Sequence, residues 1–140
     1  MTPILTAKNL VKTYKQTQGF FSRTKHTIHA LDDVSITIER GKTMAVVGES
    51  GSGKSTLAKS LIKLIDIDEG VIQFNGENIN QIGAKALKAT RKNIQMVFQD
   101  PYASLNPRMR IHNILEEPLL IHAIGTSPTR RDKIRAMIVK

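Results

Sequence analysis

The sequence contains no cysteine and no tryptophan, and aromatic residues make up only 4% of its 140 residues. The absence of cysteine excludes disulfides, thiol nucleophiles and thiolate-bound metals. With so few aromatic side chains, a stacking platform for single-stranded nucleic acid is not expected. No apolar run approaches the ~20 residues that a membrane-spanning helix needs, and residues 1–4 lack the basic-then-apolar pattern of a secretory signal. We therefore expect a soluble, cytoplasmic protein.

Positive charge is in excess, with 21 lysine and arginine residues against 12 aspartate and glutamate residues and a formal net charge of +9. Such a balance fits nucleic-acid binding, proximity to anionic lipid or nucleotide, or a surface that only aids solubility. Hydrophobic residues make up 40% and charged residues 24%, which are ordinary values for a globular chain and not for a disordered one. The composition therefore indicates a globular protein and leaves its function to the motifs.

Apolar periodicity predicts an antiparallel hairpin in the first part of the chain. Residues 4–14 and 29–38 alternate as two half-exposed strands, and the polar, basic segment 16–25 is expected to be their long connecting loop. Residues 71–76 predict a second, shorter hairpin that turns at the Asn-Gly pair.

Two short runs of consecutive apolar residues, 44–47 and 94–98, are typical of strands buried on both faces, as in a parallel sheet. Helical spacing or composition predicts helices over 54–65, 84–92, 111–121 with an interruption at Pro118, and from Ser127 onward with Ser127 as cap and Pro128 first in the helix.

The motif that carries chemistry is the segment 48–56, which fits G-x-x-x-x-G-K-[ST] without a mismatch. Its residues are Gly48, Glu49, Ser50, Gly51, Ser52, Gly53, Lys54, Ser55 and Thr56. Phosphates bind best to converging backbone N–H groups, and residues without a Cβ allow the chain to wrap closely and to adopt positive φ, which Gly48, Gly51 and Gly53 supply. A helix that begins at Lys54 adds the positive end of its dipole. We expect Lys54 to reach the β- and γ-phosphates of a nucleotide and the Ser55 hydroxyl to ligate Mg²⁺.

The sequence lacks the guanine-reading N-K-x-D of GTPases, and three other stretches resemble the nucleotide-binding domain of ATP-binding cassette (ABC) transporters. Residues 11–14, Val-Lys-Thr-Tyr, resemble the strand end that stacks on adenine, which implies that role for Tyr14; packing at the strand end is the alternative. Residues 96–101, Met-Val-Phe-Gln-Asp-Pro, resemble the Q-loop, which implies that Gln99 contacts Mg²⁺ and the attacking water. Residues 100–108 resemble the stretch that follows the Q-loop in the dipeptide and oligopeptide importer subgroup, whose first hairpin is also long.

The resemblance implies an α/β P-loop NTPase fold with an N-terminal antiparallel β subdomain, the start of the core parallel sheet and the start of a helical subdomain. On that basis residues 1–98 hold the β subdomain and P-loop core, and residues 99–140 hold the Q-loop and the start of the helical subdomain. The LSGGQ signature, the Walker B strand, the D-loop and the switch histidine do not occur in the sequence. We therefore expect residues 1–140 to be an incomplete, truncated domain.

The activity implied by the resemblance is that of an ATPase, which binds and hydrolyses MgATP to drive uptake of dipeptides or oligopeptides. The implied partners are transmembrane permease subunits, a second ATP-binding subunit in a homo- or heterodimer and, indirectly, a periplasmic peptide-binding protein. The implied location is the cytoplasmic face of the inner membrane, and nucleic acid is not an expected partner. Residues 1–140 alone are expected to bind MgATP weakly at most and to show no turnover.

Three alternatives stay open at the level of the sequence. Nickel and antimicrobial-peptide importers are similar to the same subgroup. A non-transport ABC ATPase that acts on ribosomes or DNA would use the basic charge, although tandem cassettes or a long inserted arm are not visible. A simple nucleotide-binding module would need only the P-loop.

Overall fold

The computed structural model describes residues 2–17, 25–100 and 104–139. The chain divides into two compact units, Met1–Leu87 and Lys88–Lys140. The elements in chain order are β1 (Pro3–Thr17), β2 (Lys25–Glu39), α1 (Lys54–Leu61), β3 (Glu69–Phe74), β4 (Glu77–Asn78), α2 (Ala84–Thr90), α3 (Ile111–Ile121) and α4 (Ser127–Ile138). Within these ranges, no helix combines the length and the apolar character that crossing a bilayer requires.

An antiparallel sheet with the strand order β2-β1-β3-β4 occupies the first unit. The β1–β2 ladder runs from Pro3 opposite Glu39 to Thr17 opposite Lys25. The predicted first hairpin is therefore confirmed, and its strands extend into the segment predicted as loop. Residues 18–24 of that loop lie outside the described residues.

The second predicted hairpin is confirmed at the turn between β3 and β4. Asn75 has φ 50° and Gly76 has φ 83°, and Phe74 pairs with Glu77 on either side of them. Two successive residues with positive φ form the turn that matches the twist of a two-residue hairpin, which is why Asn-Gly is favoured there. The Arg40 guanidinium also donates to the Asn75 side-chain oxygen (2.7 Å).

The core of the first unit is formed mainly by side chains of the sheet, with Leu57 added from α1. Alternate residues of β1 point the same way, so Leu5 and Ala7 are buried together. The other buried apolar side chains of this unit are Leu10, Leu31, Leu57, Ile72, Phe74 and Ile79. Because Leu57 comes from α1 and Leu31 from β2, this core holds the start of α1 beside the sheet.

The two predicted core strands are absent from the structure. Residues 44–47 and 94–98 have no regular secondary structure, and Val47 and Val97 are 89% and 91% exposed. A strand buried on both faces needs a hydrogen-bonded neighbour on each side. In residues 2–17, 25–100 and 104–139 no strand pairs with either run.

The helices differ from the predictions in four places. α2 ends at Thr90, two residues before the predicted end. α1 ends at Leu61, four residues early, and Lys63 follows with φ 55°. α3 runs through Pro118 without interruption, because a proline removes a single backbone donor and the helix can bend around its ring. α4 is capped by Thr126, whose carbonyl accepts from the Arg130 N–H (2.9 Å), so Pro128 is the second helical residue and not the first.

Candidate functional site

The glycine-rich loop leads directly into α1, which begins at Lys54 as predicted. Gly51 and Gly53 have φ 83° and 88°, in the left-handed region that glycine adopts without strain. Gly53 is the N-cap of α1, and its carbonyl accepts the first helical hydrogen bond, from the Leu57 N–H (2.8 Å). The Ser52 N–H donates to the Glu49 carbonyl (3.2 Å), which curls the loop into a turn.

Gly53 also touches the sheet. A Cβ at this position would collide with the backbone carbonyl oxygen of Ala30 in β2. The last glycine of the motif is therefore needed for the close approach of the loop to β2 as well as for its backbone angle. The sequence motif predicted the backbone angle of this glycine but gave no signal for its close approach to β2.

The Lys54 ammonium lies inside the loop. Its Nζ donates to the carbonyl oxygens of Gly48 (2.7 Å) and Glu49 (2.5 Å) and to the Ser52 hydroxyl (3.1 Å). All three hydrogens of the ammonium group are thus directed at oxygens of the loop itself. Phosphate oxygens offer acceptors of the same kind with more negative charge, so the arrangement suits a terminal phosphate of a nucleotide.

The remaining motif residues lie around the start of α1. Ser50 and Ser55 are exposed and Thr56 is half-buried, and the first turn of the helix contains no acidic residue to offset its positive end. The exposed Ser55 hydroxyl, next to Lys54, fits the predicted role of a Mg²⁺ ligand. The described part of the chain holds no group of three or more His, Asp or Glu that could hold a metal ion.

A cavity of about 380 Å³ separates β2 from the loop. Lys54, Ser52, Gly48 and Gly53 contribute its loop side, and Leu57 contributes its helix side. The lining residues from β2 and from the run before the loop are His29, Ala30, Leu31, Asp32, Val34, Val46 and Val47. The glycine-rich loop therefore borders a recess lined by apolar side chains together with His29, Asp32, Ser52 and Lys54.

Tyr14 lies near the end of β1, opposite Ile28 of β2. Its side chain is 42% exposed and that of Ile28 is 49% exposed, and paired residues of an antiparallel ladder present their side chains on one face. The Lys12 ammonium lies 5.6 Å from the centre of the Tyr14 ring, within the range of a cation–π interaction. A side chain this exposed leaves room for stacking against a planar base, which is the role that the resemblance implies and which stays a prediction.

Asp68, which the sequence analysis did not single out, organises the strand end next to Tyr14. Its carboxylate accepts hydrogen bonds from Lys12 Nζ (2.9 Å), the Thr13 N–H (2.7 Å) and the Thr13 hydroxyl (2.8 Å). These hydrogen bonds, of which the one from Lys12 has the largest effect, lower the pKa of Asp68 from 3.8 to about 2. The partners are 55 and 56 residues apart in the chain, so no local pattern could have indicated the contact.

Gln99 belongs to the second unit, whereas Tyr14 and residues 48–56 belong to the first. It follows the irregular run 94–98. Residue 101, the last of the predicted Q-loop hexapeptide, and residues 102–103 of the stretch 100–108 lie outside the described residues. The structure thus places Tyr14 and the loop in one unit, and the role of Gln99 rests on its motif.

Comparison with known families bears directly on this loop. A family model described as "ABC transporter" matches residues 31–138. The chain belongs to the ABC transporter family. The match begins in β2 and includes the whole of the glycine-rich loop, α1 and Gln99.

Curated relatives of this ABC chain are named as ATP-binding proteins of transport or import systems. It is 45% identical over 139 residues to the dipeptide transport ATP-binding protein DppF of Haemophilus influenzae, covering 99% of this chain and 42% of DppF. It is 46% identical over 127 residues to the oligopeptide transport ATP-binding protein OppF of the same organism, covering 90% of this chain and 38% of OppF. The glutathione import ATP-binding protein GsiA of Salmonella paratyphi A is 42% identical over 123 residues, 88% of this chain and 20% of GsiA. The ABC chain therefore spans less than half the length of the relatives it matches.

Solved structures confirm the predicted fold class. The ATP-binding cassette MJ0796, in a dimeric post-hydrolysis state bound to ADP and Pi, superposes on this ABC chain with a TM-score of 0.76 and 29% identity, covering 94% of this chain and 54% of MJ0796. A second dimeric structure of MJ0796 gives a TM-score of 0.74 and 30% identity, with 91% and 53% covered. The fold is that of an ABC nucleotide-binding cassette, of which the chain spans about half.

Proposed function

We propose that the chain binds MgATP through the loop 48–56, as the nucleotide-binding part of the ATP-binding subunit of an ABC importer. The observation that carries the proposal is the Lys54 ammonium, held by three oxygens of its own loop at the start of α1. A nucleotide's β- and γ-phosphates would take over these hydrogen bonds, while the backbone N–H groups of the loop and of the first helical turn bind the same phosphates. The family match and the relatives named as ATP-binding proteins support this assignment.

The other site residues have roles that follow from their positions and motifs. Ser55 would hold Mg²⁺, which neutralises charge on the β- and γ-phosphates when it is bound. Tyr14, with its exposed ring, would stack on the base. Gln99 is assigned the role of its motif, a contact to Mg²⁺ and to the attacking water.

For the whole protein we propose an ATPase that drives uptake of dipeptides or oligopeptides. The names of the DppF and OppF relatives support the substrate class, and the dimeric MJ0796 structures support pairing with a second ATP-binding subunit. Further partners are the permease subunits and, indirectly, a periplasmic binding protein. The proposed location is the cytoplasmic face of the inner membrane, with the subunit held there by its permease.

The test is calorimetric titration of MgATP into the 140-residue chain and into the variants Lys54→Ala and Lys42→Ala. Lys42 is an exposed lysine that precedes the loop, so its removal changes the net charge equally. We expect the wild-type chain to bind weakly, at millimolar MgATP. The affinity of Lys54→Ala should be lower by at least about tenfold, because charged hydrogen bonds are removed. The affinity of Lys42→Ala should equal that of wild type.

Equal affinity of Lys54→Ala and wild type, or no binding by the wild type at millimolar MgATP, would contradict the proposal. Turnover is measured in parallel by phosphate release. We expect none from the 140-residue chain, and release that Lys54→Ala abolishes would overturn the expectation that the chain alone is inactive.

A further inference from the structure

The last part of β1 is held in the sheet on one side only. β3 pairs with β1 as far as Val11, which is opposite Glu69. In the described residues, the part of β1 beyond Val11 pairs with β2 alone. Register shifts occur on both sides of Lys12 in that remaining ladder. A strand end of this kind needs further contacts if a side chain on it is to have a fixed position.

Asp68 supplies such contacts on the side that β3 leaves open. Its backbone N–H donates to the Val11 carbonyl (2.9 Å), and its carboxylate binds both the backbone and the hydroxyl of Thr13 through one oxygen and Lys12 through the other. Residue 68 therefore holds three consecutive residues, 11–13, immediately before Tyr14.

The same carboxylate also controls what lies beside the Tyr14 ring. The Lys12 ammonium that Asp68 binds is the cation 5.6 Å from the ring centre. The Lys12 side chain is only 16% exposed, and that of Asp68 is 38% exposed. Because Lys12 is part-buried between a carboxylate and an aromatic ring, its position and the ring's orientation depend on each other.

We propose that Asp68 is a positioning residue for the base-stacking ring of Tyr14, acting through Thr13 and Lys12. The proposal rests on the proposed function of Tyr14 in nucleotide binding. Asp68 itself touches neither the base nor the phosphates. Asp68 fixes the strand end, so the ring is already ordered before the base binds. The entropic cost of binding is therefore lower.

A residue that positions the base-stacking ring should affect a ligand with a base differently from a ligand without one. Inorganic tripolyphosphate presents the phosphates of ATP without the base, so it uses the loop 48–56 and not Tyr14. Loss of Asp68 should weaken binding of ATP and leave binding of tripolyphosphate unchanged. Damage to the general fold would weaken both ligands together.

The experiment titrates MgATP and Mg-tripolyphosphate into the wild-type chain and the variants Asp68→Ala, Asp68→Asn, Tyr14→Ala and the double variant Asp68→Ala/Tyr14→Ala. Asp66→Ala is the matched control, because Asp66 is an acidic neighbour whose ion pair is with Lys63 (2.6 Å) and whose interaction with Lys12 is weaker than that with Lys63. Asp68→Asn keeps an oxygen for the two Thr13 donors, so it covers the case in which Asp68→Ala does not fold.

We expect Asp68→Ala to bind ATP about fivefold more weakly than wild type, which is part of the value of one aromatic stacking contact. The affinity for tripolyphosphate should be the same in all of these proteins. The ATP affinity of Asp68→Asn should lie between those of wild type and Asp68→Ala, and the ATP affinity of Asp66→Ala should match that of wild type. In the Tyr14→Ala background, removal of Asp68 should produce no further loss.

The inference is overturned if both ligands weaken equally, if ATP affinity is unchanged, or if Asp68→Ala weakens ATP binding further when Tyr14 is already alanine. A failure of the proposed function has a different signature. In that case the wild type binds neither ligand, or Tyr14→Ala binds ATP as well as wild type does.

Discussion

The carbonyl oxygen of Ala30 lies where a Cβ of residue 53 would stand, and Gly53 itself has φ 88°. The glycine-rich loop 48–56 is therefore joined to the antiparallel sheet at a point where only hydrogen fits on the Cα. Because Gly53 is also the N-cap of α1, the contact fixes the start of the helix relative to β2.

Substitution Gly53→Ala is expected to destabilise the chain by about 3 kcal/mol, of which about 1 is the cost of a left-handed alanine and the rest is the clash with Ala30. Gly41→Ala is the matched control, since Gly41 has φ 74° and nothing within 4 Å of a built Cβ, and it should cost about 1 kcal/mol. Urea denaturation followed by circular dichroism measures both. Equal losses would show that the contact with Ala30 relaxes without cost.

Ser60→Ala is expected to stabilise the chain by about 1 kcal/mol. Ser60 is completely buried in α1, and in the part of the chain that the structure describes its hydroxyl has no hydrogen-bond partner. Removal of an unsatisfied buried hydroxyl recovers its desolvation cost, and alanine also favours the helix. The contrasting variant is Ser35→Ala, which loses the acceptor for the Asn9 N–H (2.9 Å) and should be less stable than wild type. A destabilised Ser60→Ala would contradict the reasoning.

Glu116→Gln is expected to weaken the second unit by about 1 kcal/mol, because Glu116 joins α3 to α4. Its Oε1 accepts from Arg130 Nε (3.0 Å), both side chains are largely buried, and its Oε2 lies 3.6 Å from His112 Nε2. The adjacent and exposed Glu117 provides the control variant Glu117→Gln, which should be neutral. Hydrogen exchange of α3 and α4 amides reports the change locally, and equal exchange in both variants would refute it.

The ionised form of Asp68 is favoured in the folded chain, since hydrogen bonds from Lys12 and Thr13 lower its pKa from 3.8 to about 2. A carboxyl whose folded pKa is depressed contributes stability above its unfolded pKa, and that contribution is lost as the pH falls through the folded pKa. The stability difference between wild type and Asp68→Asn should therefore be constant from about pH 7 to about pH 5 and shrink between about pH 4 and about pH 2. Urea midpoints across this range measure it. A difference that grows toward low pH would contradict the assignment.

The features that the sequence predicted well depend on neighbours within a few residues. The loop 48–56 and the start of α1 follow from a nine-residue motif, and the Asn75-Gly76 turn follows from the backbone angles that this pair adopts easily. In each case the residues that determine the conformation are adjacent in the chain.

The features that it missed depend on distant residues. Ala30 contacts Gly53, and Asp68 binds residues 11–13 through hydrogen bonds. Each contact joins segments more than 20 residues apart, so neither has a local sequence pattern. Runs 44–47 and 94–98 have the composition of buried strands, but a strand forms only where another strand pairs with it. Composition alone could not show whether such a neighbour was present.

The three hydrogen bonds of Lys54 to its own loop have a thermodynamic consequence. On the proposed function, a phosphate that enters the loop would replace acceptors that the ammonium already has, so the number of hydrogen bonds to Lys54 would stay the same before and after binding. The lysine then contributes chiefly through the greater charge of its new partners. The heat of nucleotide binding should accordingly be modest, and its sensitivity to ionic strength should be large.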